Sequence, residues 1–273
     1  MTVDSFTAGR ALLAFVDAHR DVTFLVSGGG SACVEVPLPP FTERDVAAAN
    51  ARLIASGRPI AEINAERRTM SAIKGGRLRE RVRGRSVTLV YSDVSTGALA
   101  DVASGPTIVR ADEGILIADN STLVRAAAEA IGRRAVVMDE QLDCDVDVAA
   151  AMLARRAREL EPGQILVCGG EATVVVRGDG RGGRCSELAV RFAMRCEYEA
   201  LFGASDGVDG NSGVAGIHVP RRSAAGGEPG WTLALERSDS YSIAAQVGEP
   251  IMIAATGNNL RDLFLVARDQ ARD

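Results

Sequence analysis

At 273 residues, with 47% hydrophobic and 25% charged residues, the chain has the composition of a folded globular protein with enough residues for one large core or two smaller ones. Its formal net charge of −5, without a basic segment interleaved with aromatic residues, argues against nucleic acid as a partner. No apolar run reaches the roughly 18–20 residues of a membrane span and the first residues lack a signal-peptide layout, so we expect a cytoplasmic protein with no membrane partner.

The first part of the chain alternates between helical and strand-like apolar periodicity. In chain order the pattern predicts a helix at 11–19, a strand at 21–32, a helix at 42–57, strands and helices in turn at 86–94, 121–132, 134–139 and 146–160, and a strand at 163–171. The helix at 42–57 has an N-cap threonine and a C-cap glycine, Thr42 and Gly57. Such alternation implies parallel crossovers and therefore an α/β fold.

The last third of the chain predicts more strands than helices. Strand-like segments lie at 172–178, 199–207, 231–235 and 250–259, with one helix at 184–194. We place a domain boundary near residue 162. The prediction is two α/β units with a mainly parallel sheet, at residues 1–162 and 163–273.

The five cysteines are scattered and form no CxxC pair, which argues against a disulfide framework and against a zinc site. Cys185 lies in a loop rich in glycine and arginine that could lower its pKa. Neither His19 nor His218 has a sequence signature that ties it to Cys185 as a base, so a nucleophilic cysteine is the less favoured alternative.

Stretches of glycine and small polar residues follow nearly every predicted strand, at 27–31, 92–94, 104–107, 169–171, 205–210 and 255–259. Ligands bind at the carboxyl ends of strands in open parallel sheets, and glycine lets backbone N–H groups approach an anion closely. We therefore expect these stretches to converge on one phosphate or nucleotide site. Its candidate residues are Gly28, Gly29, Gly30, Ser31, Ser104, Gly105, Thr107, Gly169, Gly170 and Glu171.

The segment 169–187 surrounds arginines with glycine and opens a helix at Arg184. Arg184 could bind a phosphate with two hydrogen bonds while Gly182 and Gly183 donate backbone hydrogen bonds. The GDGRGG run within it lacks the GxGxxG spacing and a downstream ribose-binding acid, which argues against a dinucleotide-binding site.

Two aspartates three residues apart, Asp206 and Asp209, lie in the glycine-containing loop 205–210. Paired carboxylates suit Mg²⁺, which usually takes one or two carboxylates together with phosphate oxygens, and Glu187 could join them. The alternative is an Asx turn. A metal, an anion site and a lysine together suggest phosphoryl transfer.

Lys74 is the single lysine in the chain, against thirty arginines. A lysine is a compact ammonium that can lose its proton, whereas arginine is a planar fork that stays charged. In a sequence that uses arginine elsewhere, this position indicates a function for which arginine does not serve; a chance survival on the surface is the alternative.

The motifs, taken in order with EINAERRTMSAIKGGRL at 62–78 and DSY at 239–241, resemble the type II glycerate kinase family. Its members are also described as glycerate 2-kinases with a C-terminal MOFRL domain, and some were named hydroxypyruvate reductases. The resemblance spans nearly the whole chain through seven ordered motifs. It implies ATP- and Mg²⁺-dependent phosphorylation of D-glycerate in an active-site cleft between two α/β domains.

The resemblance also implies roles for individual residues. Lys74 would stabilise charge on the transferring phosphoryl group or on the substrate carboxylate. Asn64, Arg67 and Asn259 would bind the hydroxy acid. Asp93 or Asp206 would hold the metal or accept the hydroxyl proton, and the sequence leaves that choice open.

Three features depart from the family pattern. The printed sequence lacks an N-terminal region with a GAGKA-like loop, and Thr96, Gly97 and Ala98 stand where the family has a GDD-like acidic pair. Cys185 and Ser186 replace the middle of an RNQE-like stretch.

From the resemblance as a whole we expect a kinase acting on a small hydroxy-carboxylic acid. The alternative is a repurposed relative, either a ligand-binding subunit or an enzyme of another reaction on a small carboxylate. Uncovered strand edges also make a homodimer an expectation.

Overall fold

The computed structural model describes residues 1–56, 58, 60–95, 97–108, 110 and 114–269. Contacts divide the chain into two compact units, Met1–Asp119 and Asn120–Asp273. The division falls well before residue 162, where the sequence predicts a boundary, because the elements between these positions pack in the second unit.

The first unit contains a three-stranded parallel sheet in the order β1-β2-β3. Its elements are α1 (Val3–Ala18), β1 (Val22–Val26), α2 (Gly30–Cys33), α3 (Glu43–Ala55), α4 (Ile60–Thr69), α5 (Arg77–Glu80), β2 (Ser86–Tyr91), a 3-10 segment (Leu99–Ser104) and β3 (Ile115–Ala118).

Local sequence explains where α3 begins. The Thr42 hydroxyl accepts a hydrogen bond from the Asp45 backbone N–H at 3.2 Å, and the Asp45 carboxylate accepts one from the Thr42 N–H at 2.8 Å. This reciprocal capping box confirms Thr42 as the N-cap. The predicted C-cap Gly57, and Thr96 of the departure noted above, lie outside the described residues.

The second unit is built on a six-stranded sheet in the order β4-β5-β9-β6-β7-β8. Its elements are α6 (Asn120–Ile131), a 3-10 segment (Gly132–Arg134), β4 (Ala135–Val137), α7 (Val146–Glu159), β5 (Ile165–Gly170), α8 (Arg184–Ala193), β6 (Glu199–Ala204), β7 (Gly216–Val219), α9 (Pro229–Glu236), α10 (Ser240–Val247), β8 (Glu249–Ile251) and β9 (Asp262–Ala267).

The α/β class is confirmed, and the larger sheet is mixed. Strands β4 and β5 are parallel, whereas β9 lies antiparallel between β5 and β6, and β7 and β8 continue the antiparallel order. The sequence analysis did not predict β9, although it occupies the middle of this sheet. The segment 231–235, predicted as a strand, forms part of α9, and 172–178 contributes one isolated bridge at Thr173.

Helices α7 and α8 cover one face of the larger sheet with buried apolar residues. Phe192, Phe202 and Phe264 form an aromatic row with ring centroids 5.4 and 6.1 Å apart. Each fully buried phenylalanine contributes about 1.5–3 kcal/mol, so this row helps to fix β6 and β9 under α8. In the described part of the chain, no helix is long and apolar enough to cross a membrane.

Candidate functional site

Three glycine-containing loops of the first unit meet beyond the end of β1. The backbone N–H groups of Gly75 and Gly76 donate hydrogen bonds to the carbonyls of Ser104 and Gly105, at 3.2 and 2.8 Å. A Cβ on Gly30 would lie 3.2 Å from that of Ala103, so the loop after β1 packs against the same segment. Of the stretches predicted to converge, 27–31 and 104–107 therefore lie together within this unit, and the turn at 74–76, which was not among them, joins them.

A cavity of about 240 Å³ opens among these loops. Its lining includes Ser27, Gly30, Ser31, Lys74 and Ala103, together with apolar residues of β1 and α1. Within the described residues, the N–H groups of Gly28, Gly29 and Ser31 have no hydrogen-bond acceptor, and Ser31 borders the cavity.

Asp93 lies beside the loop after β1, because a Cβ on Gly28 would overlap its carboxylate. The backbone of this glycine therefore approaches a carboxylate that follows β2, the neighbouring strand. The arrangement brings Asp93 together with the glycine loop, as the sequence predicted.

Lys74 lines the cavity but is not solvated. Its side chain is 1% exposed and its ammonium group forms an ion pair with the equally buried carboxylate of Glu35. Glu35 follows the glycine loop and α2 in the chain. Sequence analysis missed Glu35 because the two residues are 39 positions apart and no local pattern pairs them.

Further hydrogen bonds fix the carboxylate of Glu35. Ser71 Oγ and the Val36 backbone N–H, the latter at 2.9 Å, both donate to its Oε1 atom. Burial lowers the pKa of Lys74, and the Glu35 charge opposes that shift. Burial likewise lowers the pKa of Arg67, whose Nε atom has no acceptor among the described residues.

The loop 103–105 has three consecutive residues in the left-handed region, with φ values of 52, 64 and 62° at Ala103, Ser104 and Gly105. Two of them are not glycine, so the backbone is strained. Arg68 donates to the carbonyls of Ser104 and Ala100 at 3.2 and 2.7 Å, and Asn64 accepts from the Ser104 hydroxyl at 2.8 Å.

Several residues that the sequence predicts to bind a ligand form hydrogen bonds within or next to the loop at 103–105. Asn64 and Ser104 are buried and bonded to each other, and the Gly105 N–H donates to Val102. Thr107 is buried, and its hydroxyl has no partner among the described residues. In this conformation Asn64 holds a loop rather than a substrate carboxylate.

In the second unit, the strand register brings charged side chains to one edge of the sheet. Asp262, the first residue of β9, pairs with Gly170 at the end of β5 and with Ala204 at the end of β6. Glu171 and the loop that contains Asp206 therefore begin at the same edge.

Alternating charges at this edge form a continuous chain of ion pairs. Arg184 contacts Asp262 through Nε at 3.3 Å and Glu171 through Nη1. Arg261 contacts the other Glu171 oxygen at 3.4 Å and also binds Asp143. Arg184 stays 40% exposed, whereas Arg261 is buried. Of the two arginines in these ion pairs, Arg184 is therefore the one that solvent or a ligand can reach.

Burial raises the pKa of Asp262 to about 7, and the Glu171 and Asp209 charges act in the same direction while Arg184 opposes them. Burial also raises the pKa of Asp209, against the hydrogen bonds that its carboxylate accepts.

The structure does not bring the three predicted metal ligands together. Both Asp209 oxygens accept backbone hydrogen bonds at the start of α8, from Cys185 at 2.8 Å and Ser186 at 2.9 Å. Glu187 pairs with Arg191 at 2.7 Å, and Asp206 accepts from the Val208 N–H, as in an Asx turn. Among the described residues, no group of three or more His, Cys, Asp or Glu side chains could hold a metal ion.

The remaining predicted glycines make close backbone contacts. The Gly182 N–H donates to Asn211 at 2.7 Å and the Gly183 N–H to Ser186 at 2.8 Å, so neither is free for a phosphate. Gly169 and Gly170 belong to β5, where a Cβ would overlap Asn120 or the backbone of Leu142.

Asn259 contacts the backbone of Arg261. Its side-chain oxygen accepts a hydrogen bond from the Arg261 N–H at 2.8 Å, and Arg261 has a φ of 69°. Sequence analysis missed Asp143, Arg261 and Asp262. The Arg-Asp pair directly before the apolar run 263–267 was the available signal.

Family models match most of the chain. A domain of unknown function (DUF4147) matches residues 2–134, and the MOFRL family matches residues 164–262. The D-glycerate 2-kinase of Thermotoga maritima is 30% identical over 314 residues, covering 94% of this chain and 75% of that protein. The glycerate 2-kinase of Pyrococcus horikoshii is 29% identical over 326 residues, covering 96% and 74%.

A solved structure extends this similarity to the fold. The crystal structure of glycerate kinase from Thermotoga maritima superposes with a TM-score of 0.84 at 28% identity, covering 98% of this chain and 78% of that chain. The resemblance inferred from the motifs is confirmed.

Proposed function

This chain belongs to the glycerate kinase family that carries a MOFRL domain, and we propose that it is a kinase of this kind. It transfers the γ-phosphate of ATP to the hydroxyl group of a small hydroxy-carboxylic acid. D-Glycerate is the first substrate to test, because the relatives are named for it. Similarity to these kinases favours this proposal over a repurposed binding subunit or an enzyme of another reaction.

The observation that carries the proposal is the state of Arg184. Two carboxylates, Glu171 and Asp262, hold its guanidinium, yet the side chain stays 40% exposed at the sheet edge where Asp206 also lies. A preorganised, partly exposed arginine suits the charge that develops on a transferring phosphoryl group. We assign Arg184 this role.

The glycine loop at 27–31 supports a phosphate-binding role in the first unit. The backbone N–H groups of Gly28, Gly29 and Ser31, which have no acceptor among the described residues, suit phosphate oxygens, and Asp93 lies next to Gly28. Asp93 or Asp206 would accept the proton of the substrate hydroxyl. Lys74 is proposed to act in the same site, in the manner inferred below.

Mg²⁺ is a proposal that comes from the family resemblance alone. Asp206, Asp209 and Glu187 do not fit as a ligand set, since Asp209 caps α8 and Glu187 binds Arg191.

A homodimer and a cytoplasmic location are also proposals. The Val22 N–H donates to the Arg85 carbonyl, on the side of β1 that faces β2. The N–H groups of Thr23 and Leu25 therefore point away from β2, and this outer edge of β1 is available for pairing. Leu25 is 81% exposed. All five cysteines are free thiols, as in proteins of reducing compartments.

A turnover assay tests the proposed function. Purified protein with ATP and Mg²⁺ is offered D-glycerate, its L isomer and related hydroxy acids, and ADP release is followed. We expect acid-dependent ADP release that falls about 100–1000-fold in Arg184→Ala. Arg10→Ala, which removes an exposed ion pair with Glu43, is the control. Acid binding without ADP release would instead favour the repurposed relative.

A further inference from the structure

We infer that Lys74 is a positioning residue. Its ion pair with Glu35, here called the clasp, holds the glycine loop at 27–31 in place, and Lys74 does not contact the phosphoryl group. This inference rests on the proposed function, because it assigns the loop to the same phosphate-binding site. The ammonium group of Lys74 and the carboxylate of Glu35 are each 1% exposed and already bonded to each other. A group engaged in this way stabilises the geometry of the loop.

Glu35 connects the clasp to the glycine loop. It follows α2, which begins within that loop at Gly30, and its N–H donates to the Ser5 carbonyl at 3.0 Å. Its Oε1 atom accepts from Ser71, whose hydroxyl in turn accepts from the Ile73 and Lys74 N–H groups, each at 3.1 Å. The turn at 74–76 is thereby fastened to the segment that carries the loop.

The clasp also reaches the strained loop at 103–105. Gly75 and Gly76, directly after Lys74, donate to the carbonyls of Ser104 and Gly105. Ala103 in turn lies beside Gly30 of the glycine loop, since a Cβ on Gly30 would be 3.2 Å from the Ala103 Cβ. The Glu35–Lys74 pair therefore completes the set of contacts around the 240 Å³ cavity. Without the pair, we expect the contacts on the buried side of the cavity to be lost.

The surroundings of the pair explain the choice of lysine. One carboxylate oxygen receives the ammonium group, while Ser71 and Val36 occupy the other. An arginine would bring five donors to a buried site that offers one oxygen, which leaves donors without acceptors. Arg67 supplies a second cation near Glu35, and it lowers the pKa of Lys74.

A charge-neutral double variant separates positioning from direct catalysis. Lys74→Met leaves Glu35 buried without its cation, whereas Glu35→Gln with Lys74→Met removes both charges and keeps Oε1 as an acceptor. For Lys74→Met we expect kcat/KM to fall about 100-fold, with a raised KM for ATP and less change in that for the acid. The double variant should recover to within about tenfold of the parent. Arg10→Met is the control for an exposed pair.

Amide hydrogen exchange supplies a readout that does not depend on turnover. We expect lost protection at residues 71–76 and 30–36 in Lys74→Met and restored protection in the double variant. If Lys74→Met does not fold, the double variant is compared with the parent alone. A folded double variant with restored protection but turnover as low as in Lys74→Met would show that the ammonium acts directly and overturn the inference. Unchanged protection in Lys74→Met would also overturn it. If the parent phosphorylates no acid, the proposed function fails while the exchange result still judges the clasp.

Discussion

The carboxylate of Asp209 accepts a hydrogen bond from the backbone N–H of Ser186 at 2.9 Å and so caps the first turn of α8. A second bond, from the Cys185 N–H, occupies its other oxygen. The carboxylate also offsets the partial positive charge of the helix start. Asp209 therefore stabilises the helix that carries Arg184, and its part in the site is indirect.

Replacement of Asp209 should lower stability without changing metal dependence. Asp209→Ala leaves two buried N–H donors unpaired and should lower the free energy of unfolding by about 1–2 kcal/mol, whereas Asp209→Asn retains one acceptor and should lose about half as much. Urea denaturation measures both. The Mg²⁺ concentration for half-maximal turnover should match the parent in Asp209→Asn; a large increase would make Asp209 a metal ligand after all.

Asp262 should make stability depend on pH. Its pKa in the folded protein, about 7, lies above the ordinary value of an aspartate, so the folded state binds more protons than the unfolded state between these values. The free energy of unfolding should therefore fall, through this group, as pH rises from about 4 to 7. In Asp262→Asn the difference in Tm between pH 5 and pH 8 should become smaller. An unchanged difference would contradict the raised pKa.

Gly28→Ala should reduce turnover more than stability. The new Cβ would overlap the Asp93 carboxylate, and because the overlapped atoms belong to a side chain and not to the backbone, the overlap is relieved by moving that carboxylate. Its displacement from the glycine loop should lower kcat at least about tenfold. Gly230→Ala is the matched control, because among the described residues no heavy atom outside its own helix lies within 4 Å of its Cβ position. Equal kinetics for the two variants would remove Asp93 from the site.

Lys74→Arg should destabilise the first unit, because the buried site accommodates one ammonium group and not a larger planar fork. Overpacking and unpaired donors should lower the free energy of unfolding by about 1–3 kcal/mol, measured by urea denaturation. Arg81→Lys changes an exposed cation paired with Asp17 and should stay within about 0.5 kcal/mol of the parent. A Lys74→Arg protein as stable as the parent would contradict this explanation of the single lysine.

Much of the fold follows from periodicity and caps. Helices α3, α6 and α7 and strands β2 and β5 were predicted, because each has a clear apolar pattern with end signals. The segment 231–235 was assigned to a strand because a five-residue apolar run does not distinguish the two states. Pro229 at the start of α9 was the neglected helix signal.

The site was predictable where it depends on local motifs and not where it depends on distant partners. The glycine loop and Arg184 were found as motifs, whereas the partners that define their behaviour lie far along the chain. Arg184 and Asp262 are 78 residues apart, and Lys74 and Glu35 are 39 apart. Strand β9 has a local signal in its apolar run, but its antiparallel insertion between β5 and β6, which brings Asp262 to the edge, is a tertiary event that this signal does not specify.

The most direct test of phosphotransfer follows the phosphoryl group itself. ATP labelled with ¹⁸O in its γ-phosphoryl group is incubated with the protein and D-glycerate, and the products are weighed by mass spectrometry. We expect a phosphorylated acid that carries the transferred label, formed in equal amount with ADP. Labelled inorganic phosphate with unmodified acid, or no consumption of ATP with any hydroxy acid tested, would contradict it.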